Sequence, residues 1–251
     1  MIRWILSLTA LALAPLLAWA AAKPDLEKLL EAKTFTEGKA GLPYRLLKPA
    51  TVEKGKTYPL VVFLHGAGER GDDNKAQLKH GVAEFASEER MKAFPCFLIA
   101  PQCPTGASWA AFGKGFEDGK PGKLVLDLIM ETCKDLPIDK DRIYLTGLSM
   151  GGFGTWDLLA RKPDLFAAGL PICGGGDEKK ADKLVKIPIW VFHGDKDGAV
   201  KVERSRVMVA AIEKAGGKPK YTEYPGVGHD SWSRTYADEK VLAWLFAQKK
   251  E

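Results

Sequence analysis

The sequence has few cysteines, and none has the spacing of a metal site. Its 251 residues include Cys96, Cys103, Cys133 and Cys173, with no C-x-x-C pair, so no zinc site of that type is predicted. Cys96 and Cys103 flank one predicted strand, and the roughly 23 Å covered by seven extended residues is too long for a disulfide. We therefore expect buried free thiols, although an exported protein can form disulfides.

Long apolar runs are absent beyond the first twenty residues, and basic blocks are absent throughout. No later segment is long and apolar enough to span a membrane. The net charge is +5, but lysines are scattered among acidic residues, which is typical of a solvated mixed-charge surface. The sequence has no internal repeat or low-complexity block. It therefore predicts no nucleic-acid partner and no membrane contact after leader removal, and it does not indicate an oligomeric state.

The first twenty residues have the pattern of a secretory signal peptide. Arg3 precedes the apolar run ILSLTALALAPLLA, and residues 18–20 read AWA. This A-x-A pattern predicts cleavage after Ala20 or Ala22, with an uncleaved anchor as the alternative. We expect a secreted or periplasmic protein. The remaining residues, 23–251, suit one α/β domain with a sizeable core.

Apolar strand patterns alternate with helical patterns along the chain. We predict strands at 57–66, 96–102, 142–148, 167–175, 188–195 and 219–229, and helices at 75–93, 121–135, 150–162, 201–215 and 235–249. This alternation favours βαβ units and a mostly parallel sheet with helices on both faces. Residues 35–50 are expected to form an antiparallel edge hairpin. Because ligands bind at the carboxyl ends of such strands, the loops that follow the strands are candidate sites.

One of these loops has the pattern of a nucleophile elbow. Residues 147–151 read GLSMG, which fits G-x-S-x-G between a strand and a helix. Ser149 is therefore the candidate nucleophile. The helix beginning near Met150 points its free N–H groups at the site, so the Met150 amide is one candidate oxyanion donor. The Ala67 amide is the other, because the glycines around Ala67 allow the loop after the first strand to turn inward.

An acid and a base follow Ser149 in the chain order of α/β-hydrolases. His229 ends the sixth strand and is predicted to be the base, because a histidine can both take and return a proton near neutral pH. Asp197 is the preferred acid that orients it, and Asp195 and Asp177 are the alternatives. Asp230 is expected to point away from the base.

The other three histidines fit the role of the base less well. His65 and His193 lie within H-G turns and are expected to brace the backbone. His80 is expected on the surface or in the core of the first helix.

Several motifs together resemble a group of secreted bacterial esterases. They read FLHGAGERG, QLKHG, APQCP, DRIYLTGLSMGGFGTWDLL, PICGGGD, VFHGDKD and GHDSW. The group belongs to the prolyl-oligopeptidase-like and dienelactone-hydrolase-like serine hydrolases, with feruloyl esterases, acetyl-xylan esterases and polyhydroxybutyrate-depolymerase-like proteins among its relatives. The resemblance covers about residues 40–248. It implies the α/β-hydrolase fold, ester substrates and a Ser–His–Asp mechanism without cofactor or metal, and its H-G-x-x-D pattern also implies Asp197 as the acid.

Aromatic and amide side chains near these loops are candidates for substrate contact. Trp109, Trp232 and Phe153 are suited to a phenolic acyl group or a sugar face, with loop packing as the alternative. Gln102 is a candidate hydrogen-bonding group, and Glu69 and Arg70 are expected to pair with each other and so brace the oxyanion loop. The leading hypothesis is a carboxylic-ester hydrolase acting on plant-polysaccharide esters. A serine peptidase with the same triad and a catalytically silent carbohydrate- or partner-binding module are the alternatives.

Overall fold

Eight strands form one sheet in the computed structural model, which describes residues 24–110 and 120–250. The predicted leader and its cleavage sites lie outside these residues. The strands are β1 (Glu31–Glu37), β2 (Ala40–Leu47), β3 (Tyr58–Leu64), β4 (Phe97–Pro101), β5 (Ile138–Leu148), β6 (Ala168–Ile172), β7 (Trp190–Gly194) and β8 (Lys220–Tyr224). Their order across the sheet is β1-β2-β4-β3-β5-β6-β7-β8. The predicted mostly parallel sheet is confirmed.

The antiparallel part of the sheet is the predicted N-terminal hairpin. β1 pairs with β2 from Glu31↔Leu46 to Glu37↔Ala40, and β2 pairs antiparallel with β4. Gly38 has a φ of 60°, which suits the two-residue turn between the strands. The hairpin begins at residue 31, four residues before the predicted start. All pairings from β4 through β3 to β8 are parallel.

Helices cover both faces of the sheet. They are α1 (Leu26–Leu29), α2 (Val82–Ala86), α3 (Glu88–Ala93), α4 (Lys120–Asp135), α5 (Met150–Arg161), α6 (Glu203–Lys214), α7 (Trp232–Ala237) and α8 (Glu239–Phe246). Side chains of β3 alternate between two cores: Leu60, Val62 and Leu64 pack with α4, α5 and α6, while Val61 and Phe63 pack with α2, α7 and α8. The continuous apolar run of β3 is therefore explained by burial on both faces. Within the described residues, no helix combines the length and apolar character needed to cross a bilayer.

Two predicted helices are broken in the structure. In place of one helix over 75–93, a 3-10 turn at Ala76–Leu78 precedes α2 and α3. Gly81 has a φ of 75°, and a Cβ there would lie 2.7 Å from the Phe63 ring, so the chain turns where this ring packs. In place of one helix over 235–249, α7 ends at Ala237, and the Asp238 side chain caps α8.

Pro171 does not prevent the fourth predicted strand from forming. The flanking amides of Gly169 and Cys173 donate to Pro188 and Phe192 on the β7 side. Because successive amides point to opposite sides of a strand, the missing N–H of Pro171 falls on this same side. Pairing of β6 with β7 is correspondingly sparse.

All four cysteines are free, as predicted. Cys96, Cys103 and Cys173 are buried, and desolvation raises the pKa of each to about 12. Cys133 is partly exposed, so the expectation of burial is wrong for this residue.

Candidate active site

Ser149 lies on a sharp turn between β5 and α5. Its φ of 54° and ψ of −117° lie far from the regions that non-glycine residues prefer. Such backbone strain persists only where the surrounding structure enforces it, and it is typical of functional positions. The conformation is that of the nucleophile elbow, which exposes the serine hydroxyl above the sheet.

Close backbone approach explains the glycine that follows Ser149 by two positions. A Cβ on Gly151 would collide with the carbonyl oxygen of Leu64, the last residue of β3. The first turn of α5 can therefore pack onto the end of β3 only without a side chain here. This contact brings the loop after β3 alongside Ser149.

A chain of hydrogen bonds joins Ser149 to His229 and Asp197. The His229 Nε2 atom lies 3.0 Å from Ser149 Oγ, and His229 Nδ1 lies 2.7 Å from Asp197 Oδ2. The His229 side chain is 27% exposed, and that of Asp197 is fully buried. The structure thus brings together the three residues that the sequence predicted as nucleophile, base and acid, in the geometry of a proton relay.

The segment carrying His229 is tied to the strand carrying Ser149. His229 lies in the loop between β8 and α7, and the Tyr236 hydroxyl of α7 lies 2.8 Å from Thr146 Oγ1 of β5. Thr146 also donates to the Leu170 carbonyl oxygen of β6. These buried contacts fix α7 over the sheet and position the imidazole in front of Ser149.

The carboxylate of Asp197 accepts hydrogen bonds at both oxygens. The Ala199 and Val200 amides each donate to Oδ1 at 2.8 Å, while Oδ2 faces His229 Nδ1 and, at 3.1 Å, His193 Nε2. Burial alone would raise the pKa of Asp197, but the bonds from His229 and the two amides outweigh it and hold this pKa below its ordinary value. Asp197 is therefore an anion suited to orienting an imidazole.

The alternative acids are occupied elsewhere. Asp195 accepts from the Gly226 amide at 2.6 Å, and Asp177 caps a 3-10 helix by accepting from Lys179. Asp230 accepts from the amide and hydroxyl of Ser233. Among the described acidic residues, only Asp197 forms a salt bridge with His229.

The two H-G histidines brace their surroundings. The amide of Cys103 donates to His65 Nε2, so the Nδ1 proton of His65 goes to the Gly66 carbonyl oxygen at 2.6 Å. Burial lowers the pKa of His65 to about 4. His193 is fully buried and contacts Ser205, Asp197 and the Val200 carbonyl. It supports the acid from behind, a role that its place in the sequence did not indicate.

Each of the two candidate oxyanion donors is the first residue of a helical segment beside Ser149. Met150 begins α5, and the exposed Ala67 begins a 3-10 turn, Ala67–Glu69. A Cβ on Gly66 would lie 3.7 Å from Ser149 Cβ, so this turn adjoins Ser149. In the described chain, neither amide donates to a carbonyl. Both are thus available to a substrate oxygen.

Two of the four predicted substrate contacts are wrong. Gln102 and Trp109 have no exposed surface. Gln102 donates to Glu69 and Asp73 and accepts from Asn74, which closes the loop after β3. Trp109 donates to the His65 carbonyl and packs edge-on against its ring. Both residues follow a strand end, but their side chains turn into the protein.

Phe153 and Trp232 remain half-buried at the site. Phe153 lies on the first turn of α5, and its amide donates to the Ser149 carbonyl. The Trp232 ring packs edge-on against His229 with centroids 5.2 Å apart. Their contact with substrate stays a prediction.

The site also includes His80, which the sequence placed on an ordinary helix. Its ring lies 5.5 Å from the Trp232 ring, and His80 Nε2 lies 3.7 Å from Glu69 Oε1. The sequence predicted that Glu69 would pair with Arg70, but in the structure its partner is His80. No helical periodicity signals this placement, because the helix is interrupted at Gly81.

Cys173 lies behind the relay at the end of β6. Ligand atoms of Cys173, Asp197 and His229 lie within 4.8 Å of one another, a cluster that the sequence did not predict. Burial keeps the thiol protonated, since its pKa rises to about 12, and the Asp197–His229 bond occupies Nδ1. These groups fit a proton relay better than the deprotonated ligand set of a resident metal.

Comparison with known families supports the chemistry that this geometry suggests. Residues 110–241 match the dienelactone hydrolase family. A crystal structure of a thermostable esterase superposes with a TM-score of 0.85 and 43% sequence identity, over 90% of this chain and 64% of that one.

Curated relatives include enzymes acting on esters. The endo-1,4-beta-xylanase/feruloyl esterase of Xylanibacter ruminicola is 30% identical over 216 residues, covering 82% of this chain but only 28% of the relative. A probable carboxylesterase of Oryza sativa subsp. japonica is 25% identical over 206 residues, covering 73% of this chain and 84% of the relative. The chain thus spans less than a third of the Xylanibacter protein and most of the rice protein.

Proposed function

Because the chain belongs to the dienelactone hydrolase family of α/β-hydrolases, we propose that it is a carboxylic-ester hydrolase with Ser149 as its nucleophile. The observation that carries this proposal is the hydrogen-bonded chain from Ser149 Oγ through His229 to Asp197. A serine hydroxyl is a weak nucleophile until a neighbouring base takes its proton. His229 Nε2, at 3.0 Å, is within the distance that this transfer needs.

The reaction begins with formation of an acyl-enzyme. Ser149 Oγ bonds to the ester carbonyl carbon while its proton passes to His229 Nε2. The carbonyl electrons move to oxygen, and the Ala67 and Met150 amides stabilise this oxyanion. When the tetrahedral intermediate collapses, the bond to the alcohol breaks, and His229 donates its proton to the leaving alcohol oxygen.

Water then completes the cycle. His229 takes a proton from water, whose oxygen bonds to the acyl carbon, and the second intermediate expels Ser149 Oγ. The proton returns to Ser149, and the carboxylic acid departs. Asp197 holds the Nδ1–H tautomer and stabilises the imidazolium that forms in each half-reaction. These steps use only side chains, backbone amides and water.

For substrate and location, we propose a secreted or periplasmic enzyme that acts on feruloyl or acetyl esters of plant polysaccharides. The relatives that include a feruloyl esterase support the substrate class, and the half-buried Phe153 and Trp232 supply apolar surface beside Ser149. The leader pattern of residues 1–20 supports export.

An activity panel tests the proposal. Wild-type protein should hydrolyse 4-nitrophenyl acetate, methyl ferulate and acetylated xylan, and Ser149→Ala should lose at least a thousandfold in kcat while retaining its thermal unfolding midpoint. EDTA should leave the activity unchanged. Turnover of peptide amides in preference to every ester would favour the peptidase alternative. Absence of turnover on all substrates would favour the binding module.

A further inference from the structure

Four side chains form a series of contacts that begins at His229, beside the proposed nucleophile. Trp232 lies between two imidazoles, because its ring packs edge-on against His229 and, in a tilted arrangement with centroids 5.5 Å apart, against His80. The Glu69 carboxylate continues this series, because its Oε1 atom lies 3.7 Å from His80 Nε2. We call His80, Glu69 and Trp232 the second-histidine cluster.

The cluster also adjoins Ser149 from the side of the oxyanion loop. A Cβ on Gly66 would lie 3.0 Å from Glu69 Oε2 and 3.7 Å from Ser149 Cβ. Only the width of Gly66 therefore separates the Glu69 carboxylate from the nucleophile. The second-histidine cluster reaches Ser149 both through His229 and through Gly66.

The direction of proton transfer assigns this side of the site to the alcohol half of the substrate. In the proposed function, on which this inference rests, His229 Nε2 gives its proton to the leaving alcohol oxygen. The alcohol must therefore depart beside His229. Trp232 is the aromatic ring in contact with His229, and His80 is the next polar group along the same line.

The chemistry of the cluster suits an alcohol that carries several hydroxyl groups. The His80 side chain is 31% exposed, whereas that of Glu69 is 8% exposed. Glu69 Oε1 faces His80 Nε2 at 3.7 Å, which is longer than a hydrogen bond, so the carboxylate keeps acceptor capacity. The indole N–H of Trp232 is buried and has no hydrogen-bond partner within the described residues. An aromatic ring beside an imidazole and a carboxylate offers a stacking surface, donors and acceptors.

We propose that the second-histidine cluster is the subsite for the leaving alcohol and recognises a carbohydrate, with His80 hydrogen-bonding a sugar hydroxyl. A simple alkyl alcohol makes no use of these polar groups. The cluster therefore raises specificity for sugar esters over alkyl esters that share the same acyl group.

The test compares two acetyl esters, methyl acetate and a mono-O-acetylated methyl xyloside. The wild-type enzyme should prefer the xyloside in kcat/KM, and His80→Ala should reduce that preference about tenfold, chiefly through KM, as expected for one lost hydrogen bond. His80→Gln, which keeps a donor and an acceptor, should retain more of the preference than His80→Ala. Lys79→Ala, which removes the exposed neighbouring side chain, should behave as wild type on both esters.

The outcomes separate this inference from the proposed function. Labelling of Ser149 by a fluorophosphonate in His80→Ala will show that its nucleophile remains intact. A wild-type enzyme without preference for the xyloside, or equal losses on both esters in His80→Ala, would overturn the alcohol subsite while leaving the hydrolase standing. Failure of the wild-type enzyme to hydrolyse any ester would instead remove the proposed function.

Discussion

Replacing Asp197 with asparagine tests the geometry of the proton relay. The Asp197 Oδ2 atom faces two imidazole nitrogens, His229 Nδ1 and His193 Nε2. His193 Nε2 also lies 2.9 Å from the Val200 carbonyl oxygen, so this nitrogen carries a proton. If the asparagine oxygen keeps the two amide bonds at Oδ1, its NH₂ group must replace Oδ2 and oppose the N–H of His193.

The same NH₂ group changes the tautomer of His229. It donates to Nδ1, which moves the imidazole proton to Nε2, and this nitrogen can then no longer accept the proton of Ser149. In the template Ser–His–Asp enzyme, this change lowers kcat by about 10⁴, which corresponds to about 5.5 kcal/mol in activation free energy. We expect a loss of this order, with a smaller loss of folding stability of about 1–3 kcal/mol from the opposed donors.

Asp195→Asn is the matched control, two residues away. Its carboxylate accepts from the Gly226 amide, and an asparagine oxygen can accept the same bond. We expect its kcat to stay within about threefold of wild type. The assay is hydrolysis of 4-nitrophenyl acetate at one pH, with thermal unfolding measured for each variant. An Asp197→Asn enzyme within tenfold of wild type, or an equally inactive Asp195→Asn enzyme, would refute the assignment of the acid.

Three further predictions concern the scaffold of the site. Gly151→Ala should lose activity and about 3 kcal/mol or more of stability, because its Cβ collides with the Leu64 carbonyl. Gly68→Ala is the control, since its Cβ meets nothing within 4 Å, and it should unfold near the wild-type temperature. Equal thermal unfolding midpoints for the two variants would contradict the close approach of α5 to β3. His65, with a pKa of about 4 when folded, binds its proton more readily when unfolded, so stability should fall by up to about 3 kcal/mol as the pH decreases from 6.5 to 4. Nitrogen NMR of the folded protein should show a neutral His65 ring protonated on Nδ1 at pH 5.5, and a charged ring there would contradict this expectation. Ellman's reagent should titrate four thiols in denaturant but at most Cys133 in the native protein, and fewer than four in denaturant would indicate a disulfide.

The parts of the fold that depend on local pattern could be predicted from the sequence. β3 is an unbroken apolar run because both of its faces are buried, and the elbow at Ser149 has a fixed spacing between a strand and a helix. The chain order Ser149, Asp197, His229 then identified three loops that the parallel sheet brings to one edge. The H-G-x-x-D pattern of the resemblance favours Asp197 over Asp195, and in the structure the Asp197 carboxylate contacts His229.

Features that depend on tertiary packing could not be predicted in the same way. The helix expected over 75–93 breaks at Gly81, where the rings of Phe63 and Tyr236 meet, and this break turns His80 toward Trp232. Gln102 and Trp109 follow a strand end like the candidate triad residues, but they close loops with buried hydrogen bonds. The direction of a loop side chain follows from such contacts, which sequence spacing does not encode.

The central claim is that Ser149 is a nucleophile activated by His229, and covalent labelling tests it most directly. The wild-type protein and a His229→Ala variant are incubated with a fluorophosphonate, and the modified residue is identified by peptide mass spectrometry. We expect one adduct per chain, on Ser149, formed at least a hundredfold more slowly in His229→Ala. An unlabelled wild-type protein, an adduct on another residue, or equal labelling rates in the two proteins would contradict the account.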